Sequence, residues 1–207
     1  MIIEKKQLRN KIRELLDLQQ NNKTERLIQE VNINNIFLAS DLYKDAQNIL
    51  AYAATDHELS VDLIIKTALK DGKQVALPKT NPETNDMDFY FLDNDKPLEK
   101  QINIGNYNIR EPVDTLQMVP IQPFPIKTVV IVPGIAFSLS GDRLGHGKGF
   151  YDKYFSKIFD LNSTIHLPDA LIGVAFNFQI QDKIPVSEYD IALTHIITDN
   201  ELHICNN

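Results

Sequence analysis

The chain has 207 residues, of which 43% are hydrophobic and 24% are charged, and its formal net charge is −7. This composition is that of an ordinary globular protein, and the length suits one α/β domain spanning residues 1–207. The acidic charge argues against a general nucleic-acid binder, which needs excess Lys and Arg to displace counterions from phosphates. The acidic net charge does not exclude a small anionic ligand, because a local cluster of basic residues can bind one.

The compartment is predicted from what the sequence lacks. The single cysteine, Cys205, cannot form an intrachain disulfide. Charged residues follow Met1 almost at once, where a signal peptide would have an apolar core. No apolar run approaches the roughly 20 residues that a membrane span requires. We therefore expect a cytoplasmic protein without nucleic-acid or membrane partners, either a monomer or a small homo-oligomer.

The first part of the chain predicts two helices and then a β–helix–β unit. Residues 3–20 place Leu and Ile at helical spacing, and a second helical stretch over 23–44 is expected to break near 32–35. The apolar run 48–54 predicts a strand, a helix ends near Gly72, and 74–78 predicts the next strand. Residues 88–92 add a strand at an edge of the sheet.

The second part continues the alternation. Residues 93–127 are rich in Pro, Asn and Asp and are interpreted as an extended connection, whereas the β-branched run 128–133 predicts a strand buried on both faces. A helix over 150–160, a strand over 171–176 and one or two short strands over 196–204 follow. The pattern predicts an α/β fold, a three-layer sandwich with a mostly parallel central sheet flanked by helices. Such an architecture names no function by itself.

The segment 133–154 carries most of the candidate chemistry, because it links the clearest strand to a helix and ligands gather at the carboxyl ends of strands. Three glycines occupy alternate positions in it: Gly145, Gly147 and Gly149. Without Cβ atoms they let a phosphate approach the backbone, and the next helix offers free N–H groups to an anion. Arg143 and Lys148 bracket the loop with positive charge.

The same loop has a second interpretation. It is not a Walker A motif, because Lys148 is followed by Gly149 where that motif has Ser or Thr, and its glycine spacing is not that of a dinucleotide-binding fingerprint. A flexible glycine turn with solvated charges would produce the same pattern. Residue types alone therefore leave both a phosphate cradle and a surface turn open.

Other charged residues are equally open to two interpretations. Asp152, in the first turn after the loop, either complements the helix dipole or holds Mg²⁺ against phosphates. Like charges repel one another along one helix face, at Lys5, Arg9 and Arg13. Either a bound anion or neighbouring acidic side chains would relieve this repulsion. Glu58 is expected at the carboxyl edge of the sheet, either as an acid in the first turn of a helix or as an acceptor for a heterocycle.

The histidines and possible nucleophiles form no recognisable catalytic or metal-binding pattern in the sequence. His57 and His146 are interpreted as surface residues and not as metal ligands, because no cluster of His, Asp and Glu accompanies them in the sequence. No Ser-His-Asp or Cys-His arrangement can be supported from the sequence alone. The chemistry expected of this chain is therefore that of an anion-binding site.

Five sequence blocks occur in a characteristic order. They are Lys5-x-x-Leu8-Arg9; Glu58; Ile109-Arg-Glu111-Pro112; Val129 to Phe137 followed by Arg143-Leu-Gly-x-Gly-x-Gly-Phe-Tyr-Asp152; and Gly173 to Gln179 followed by Ile184-Pro185 and Asp190. The glycine-rich block is fairly specific, and the ordered set is much more so. Together they resemble the 5-formyltetrahydrofolate cyclo-ligase family across nearly the whole chain.

That resemblance implies an enzyme that uses ATP and Mg²⁺ to cyclise 5-formyltetrahydrofolate to 5,10-methenyltetrahydrofolate, with release of ADP and phosphate. The implied route passes through a phosphorylated formyl group, an iminophosphate. This route requires that negative charge on the transferring oxygens be stabilised. Cationic side chains, Mg²⁺ and backbone N–H groups can stabilise that charge.

The resemblance also assigns residues by position. ATP would be bound by Lys5, Arg9, Arg143, Leu144, Gly145, Gly147, Lys148 and Gly149. Mg²⁺ would be held by Asp152 and Asp190. Folate would contact Glu58, Tyr151 and Arg9, and the catalytic residues would be Lys148, Arg143 and Tyr151.

The sequence departs from the family pattern at two places. His146 stands where family members often have Arg, and Asn108 stands where a glycine is usual, with Gly105 four residues before Ile109. Two other functions stay open. One is a sugar-phosphate isomerase or transferase that uses the loop for a phosphate ester, and the other is a catalytically silent nucleotide-binding module.

Overall fold

The structure is a computed structural model, and it describes residues 2–105, 109–121, 123–159, 167–187 and 190–206. The helices are α1 (Ile2–Gln20), α2 (Lys23–Ala39), α3 (Asp41–Asp45), α4 (Asp62–Lys70) and α5 (Phe150–Phe159). The strands are β1 (Asn48–Leu50), β2 (Gln74–Asn81), β3 (Asp86–Phe91), β4 (Ile102–Ile104), β5 (Arg110–Pro112), β6 (Thr128–Val132), β7 (Ala136–Phe137), β8 (Arg143–Leu144), β9 (Ala170–Val174), β10 (His195–Ile197) and β11 (Leu202–Ile204). Short 3-10 helices lie at Leu98–Lys100 and Asn177–Gln179.

The central sheet determines where a ligand can bind. Its strand order is β11-β10-β9-β6-β1-β2-β3, with a parallel core and antiparallel edge strands β3 and β11. Strand β1 lies between β2 and β6, so the chain proceeds from β1 to one side and later returns on the other. In open α/β sheets this reversal of strand order produces a crevice at the carboxyl ends of the two strands.

Alternate residues of the strands pack on opposite faces of the sheet, as strand geometry requires. Ile131 belongs to the apolar cluster that contains Phe37 and other residues of α1, α2 and α4. Val130, its neighbour, belongs to the cluster that contains Phe155 of α5. Helices therefore cover both faces, and the predicted three-layer α/β sandwich is confirmed. None of the described helices has both the length and the apolar composition that a bilayer crossing requires.

The expected break near residues 32–35 is wrong, because α2 continues through them to Ala39. Asn34 is buried, and its amide donates to the carbonyls of Glu30 and Ser60. A polar side chain that suggested a helix end is thus satisfied by a neighbouring segment. The helix stops at Ser40, whose backbone N–H bonds to the carbonyl of Phe37 and whose hydroxyl then caps α3.

Two regions without strong periodicity also contain more structure than predicted. The segment interpreted as an extended connection holds a 3-10 turn and a two-stranded sheet of β4 and β5. The first part of the glycine-rich segment forms a small hairpin of β7 and β8. These strands have two or three residues each, which is too short for alternation to be visible in the sequence. The prediction of β3 as an edge strand is confirmed.

We expect Phe155→Ala to lower the free energy of unfolding by about 3–5 kcal/mol, because it removes a fully buried ring from the layer beneath α5. Ser156→Ala, at the exposed neighbouring position, is the control and is expected to stay within about 0.5 kcal/mol of the parent. Urea unfolding measures the free energy of unfolding of both variants, and an unchanged m-value shows that only stability has changed. Equal midpoints for the two variants would contradict the packing described for α5.

Candidate active site

A cavity of about 520 Å³ opens at the carboxyl ends of β1 and β6. The site residues predicted from the sequence all line it: Lys5, Arg9, Glu58, Arg143, Leu144, Gly145, Gly147, Lys148, Gly149, Tyr151, Asp152 and Asp190. Segments far apart in sequence therefore meet at the crevice that the sheet topology predicts. Their roles toward ligands stay predictions.

The glycine loop needs glycine at two positions for conformational reasons. Gly147 and Gly149 have φ angles of +103° and +71°, in the left-handed region that other residues rarely adopt. A Cβ atom at Gly147 would also lie 3.6 Å from the guanidinium carbon of Arg9. Arg9 Nε donates to the carbonyl of Gly145 at 2.9 Å, so α1 holds the loop directly. Lys148 lies between the two constrained glycines and is exposed at the cavity.

Arg143 lies at the base of the cavity and is buried. Its Nη2 donates to Oδ1 of Asp152 at 2.7 Å, and its Nη1 donates to the carbonyl of Pro133 at 3.3 Å. The guanidinium carbon is 5.7 Å from the ring centroid of Tyr151. Among the described residues the buried Nε has no hydrogen-bond partner. Arg143 thus fixes the start of α5 and keeps one donor unused among the described residues.

Lys5 connects α1 to the opposite rim of the cavity. Its Nζ donates to Oδ2 of Asp190 at 2.6 Å, and the backbone N–H of Ser187 donates to the same oxygen. Burial acts to raise the pKa of Asp190, but these hydrogen bonds outweigh burial and hold the pKa below its ordinary value. Burial and the nearby Arg13 lower the pKa of Arg9. The basic face of α1 therefore lines the cavity, with Lys5 and Arg9 partly buried there and Arg13 exposed.

Glu58 lies in the irregular segment before α4, so the interpretation as an acid in the first turn of a helix is wrong. Its Oε2 accepts from the backbone N–H and hydroxyl of Thr55, both at 2.9 Å. Its Oε1 lies 3.0 Å from Nε2 of His146. Burial acts to raise the pKa of Glu58, but hydrogen bonds from His146 and Thr55 outweigh it and hold the pKa below its ordinary value. The cavity therefore contains an ionised carboxylate.

His146 has an exposed side chain, as expected for a surface residue, but its contact with Glu58 was not predicted. No sequence pattern indicates this contact, because the two residues are 88 positions apart. The glycine loop and the Glu58 segment are joined by this contact across the mouth of the cavity.

Tyr151 contributes a phenol to the cavity wall. Its hydroxyl is buried and has no hydrogen-bond partner in the part of the chain that the structure describes. Burial, together with the charge of Glu58, raises the pKa of Tyr151 above its ordinary value, so the phenol stays protonated at neutral pH. The hydroxyl is therefore a donor whose hydrogen bond is not used by the described residues.

Sequence reasoning missed much of the remaining wall. Apolar side chains line it at Tyr52, Pro78, Met87, Ile109 and Phe150. Glu111 also lines it, and its Oε1 accepts from the backbone N–H and hydroxyl of Thr80 at 3.0 and 2.6 Å. Of these residues Pro78 and Thr80 lie on β2, which ends at the same edge of the sheet, whereas Ile109, Glu111 and Phe150 stand in the sequence blocks that carry the family resemblance.

The displaced glycine before Glu111 keeps a packing role. A Cβ atom on Gly105 would lie 2.0 Å from Oε2 of Glu111, so only glycine fits against this carboxylate. Asn108, which takes the usual place of the glycine, lies outside the described residues. A glycine three residues before the family position therefore makes a close contact with Glu111.

The carboxylates suit a magnesium ion that arrives with phosphates better than a resident metal. No group of three or more His, Cys, Asp or Glu able to hold a metal occurs within the described ranges. Asp152 and Asp190 both line the cavity, and the backbone N–H of Ile191 bonds to Asp152. Mg²⁺ commonly takes one or two carboxylates and completes its shell with phosphate oxygens and water. The donor set fits that arrangement.

Comparison with known proteins agrees with the resemblance. A sequence model of the 5-formyltetrahydrofolate cyclo-ligase family matches residues 2–199. The 5-formyltetrahydrofolate cyclo-ligase of Escherichia coli K12 is 30% identical over 157 residues, covering 76% of this chain and 80% of its own. The enzyme of the same name from Mus musculus is 26% identical over 180 residues, covering 85% of each chain.

Solved structures agree on the fold. The NMR structure of Aquifex aeolicus 5,10-methenyltetrahydrofolate synthetase has a TM-score of 0.72 at 24% identity, covering 97% of this chain and 94% of its own. A 5,10-methenyltetrahydrofolate synthetase from Mycoplasma pneumoniae has a TM-score of 0.62 at 19% identity, covering 92% and 98%. With the family match over nearly the whole chain, these findings show that the chain belongs to the 5-formyltetrahydrofolate cyclo-ligase family and is an enzyme of the ligase class.

Proposed function

We propose that this enzyme cyclises 5-formyltetrahydrofolate to 5,10-methenyltetrahydrofolate at the expense of ATP, releasing ADP and phosphate. The observation that carries the proposal is that one cavity, in a chain of this family, brings two chemically different sets of groups together. One set consists of cations and glycine backbone, and the other of an ionised carboxylate, a protonated phenol and apolar side chains.

The cations and the glycine backbone would bind the triphosphate of ATP. Lys5, Arg9, Arg143 and Lys148 supply charge, while the backbone of Leu144, Gly145, Gly147 and Gly149 allows close approach of phosphate oxygens. Asp152 and Asp190 would hold Mg²⁺, which neutralises phosphate charge when it is bound. This assignment is supported by the contact of Arg9 on α1 with the carbonyl of Gly145 in the loop.

The second set of groups would recognise the pterin by hydrogen bonding. Glu58 is ionised and can accept N–H groups of a heterocycle, while the Tyr151 phenol can donate to a ligand oxygen. Arg9 lines the same cavity and would also contact the folate. Apolar side chains such as Tyr52 and Met87 offer a surface for the flat ring system.

The proposed reaction proceeds in two displacements. The formyl oxygen attacks the γ-phosphorus, the bond from that phosphorus to the bridging oxygen breaks, and ADP leaves. The resulting iminophosphate carries the activated carbon on N5; N10 attacks that carbon and loses its proton, the C–O bond breaks, and phosphate leaves. Lys148 and Arg143 would stabilise the charge on the transferring oxygens, and Tyr151 would orient the formyl group.

The reaction itself is tested by mixing the purified protein with 5-formyltetrahydrofolate, ATP and Mg²⁺ and following the near-ultraviolet absorbance of the methenyl product. We expect product only when all three components are present. Binding of ATP and folate without turnover would identify a silent nucleotide-binding module. Failure to bind either by the folded protein would direct attention to sugar phosphates.

Lys148→Ala is expected to lower kcat/KM by about ten- to a hundredfold, because a charge-assisted hydrogen bond to phosphate contributes about 1.5–3 kcal/mol. Stability should change little, since the side chain is exposed. Lys153→Ala, which removes an exposed lysine of α5 outside the cavity, is the matched control. Full activity of the Lys148 variant, or its unfolding, would refute the role of Lys148 in phosphate binding.

Glu58→Gln is expected to weaken 5-formyltetrahydrofolate binding by about tenfold while ATP binding stays nearly constant, because the acceptor of pterin N–H groups loses its charge. Isothermal titration calorimetry with each ligand measures the split. Asp56→Asn, at an exposed carboxylate two residues away, controls for a change of net charge. Equal losses for both ligands would instead make Glu58 a structural residue.

A further inference from the structure

The segment that carries Glu58 has no regular secondary structure of its own. It joins β1 to α4 and contains neither helix nor strand between residues 51 and 61. A carboxylate on such a segment can be held at a fixed place only if the backbone around it is fixed by other parts of the chain. The side chains that provide this restraint lie mainly on α2.

Arg26 and Glu30 form an ion pair one helical turn apart on α2, with Arg26 Nε 3.0 Å from Glu30 Oε1. Each partner also holds the backbone of the Glu58 segment. Nη2 of Arg26 donates to the carbonyl of Glu58 at 2.5 Å, and Oε1 of Glu30 accepts from the backbone N–H of Ser60 at 3.1 Å. The pair therefore brackets the Glu58–Ser60 backbone from one helix face.

Two further side chains complete the restraint. Asn34, one turn beyond Glu30, donates to the carbonyl of Ser60 at 2.9 Å. The hydroxyl of Tyr52 donates to the carbonyl of Leu59 at 2.6 Å. Backbone groups at residues 58, 59 and 60 thus each bond to a buried or largely buried side chain. The result is a rigid base for the Glu58 carboxylate where the chain supplies no helix or strand.

From these contacts we propose that Arg26 and Glu30 are positioning residues for Glu58 and set the affinity of the enzyme for folate. This inference rests on the proposed role of Glu58 in folate binding. Neither residue lines the cavity, so both act through the backbone of the segment that they hold.

The details of the ion pair favour positioning over a purely stabilising role. Both side chains are only 12% exposed, and the Arg26 guanidinium lies 5.8 Å from the ring centroid of Phe176. Its Nη1 is buried without a hydrogen-bond partner among the described residues. Burying two charges and leaving a donor unsatisfied is a poor source of stability. What this ion pair provides is a defined direction for two backbone groups next to Glu58.

The first test uses a double variant, Arg26→Gln/Glu30→Gln, which removes both charges and so leaves no unpaired charge buried. We expect the KM and the dissociation constant for 5-formyltetrahydrofolate to rise by about tenfold, equivalent to about 1.4 kcal/mol. The dissociation constant for ATP should stay within about twofold of the parent value. A milder variant, Arg26→Lys, keeps the charge and is expected to recover part of the folate affinity.

The decisive measurement is a double-mutant cycle with Glu58→Gln. If the ion pair acts through Glu58, its removal has little effect once Glu58 is already changed. The triple variant should therefore bind folate less than about twofold more weakly than Glu58→Gln alone. Additive losses would overturn the inference and leave the ion pair as a structural element. Wild-type folate affinity of Glu58→Gln alone would overturn the proposed role of Glu58 itself, and the inference with it.

Tyr43→Phe is the matched stability control. It removes the hydrogen bond from the Tyr43 hydroxyl to Asp71. Tyr43 precedes β1 and Asp71 precedes β2, so this bond lies at the amino ends of the strands, away from the cavity. Its melting temperature is measured beside that of the double variant. If Tyr43→Phe also raises the folate KM at a similar loss of stability, general destabilisation explains the effect and the inference fails.

Discussion

The order of the strands around β1 is the constraint on which the rest of the structure depends. Because β2 pairs with β1 on one side and β6 pairs on the other, the chain leaves the two central strands in opposite directions. The space between them cannot be filled by either connection, and a crevice results. The Glu58 segment follows β1 and the glycine loop follows β6, so both reach the crevice from its two sides. The N-terminal helix α1 then closes it with a basic face.

Charge in the cavity is balanced internally before any ligand is considered. Lys5 pairs with Asp190, Arg143 pairs with Asp152, and the His146 imidazole contacts Glu58. For a reaction that binds both a polyphosphate and a divalent cation, this pairing has a physical advantage. In the proposed reaction, phosphates would replace the carboxylates as partners of the lysine and arginine, and Mg²⁺ would bind the carboxylates. Each group then exchanges one opposite charge for another and is never left buried and unpaired, which would be costly.

Much of this arrangement could be predicted from the sequence because it depends on long periodic elements and local motifs. The amphipathic pattern of α1 and the β-branched run of β6 predicted those elements, and the position of β6 before the glycine loop predicted the location of the site. The twelve predicted site residues all line one cavity. Their proximity follows from topology, since parallel strands end at the same edge of a sheet.

What could not be predicted depends on contacts between distant segments. Asn34 suggested a helix break, but Ser60 and Ile64 supply its hydrogen-bond partners from 26 and 30 residues away. Glu58 suggested a helix start, but side chains of α2 hold its segment in an irregular conformation. The very short strands β4, β5, β7 and β8 owe their pairing to tertiary context. In each case the local signal was real, and a contact remote in sequence determined the outcome.

The two departures from the family pattern illustrate the same principle. Gly105 is displaced in sequence, yet it is the glycine that packs against the Glu111 carboxylate. His146 replaces a residue with a permanent charge, yet it contacts the Glu58 carboxylate. Gly105 directly follows β4 and its backbone N–H bonds to the carbonyl of Ile109, whereas His146 lies in the irregular part of the glycine loop. At such places the fold requires a contact between particular atoms. A motif written with fixed spacing describes that contact only indirectly.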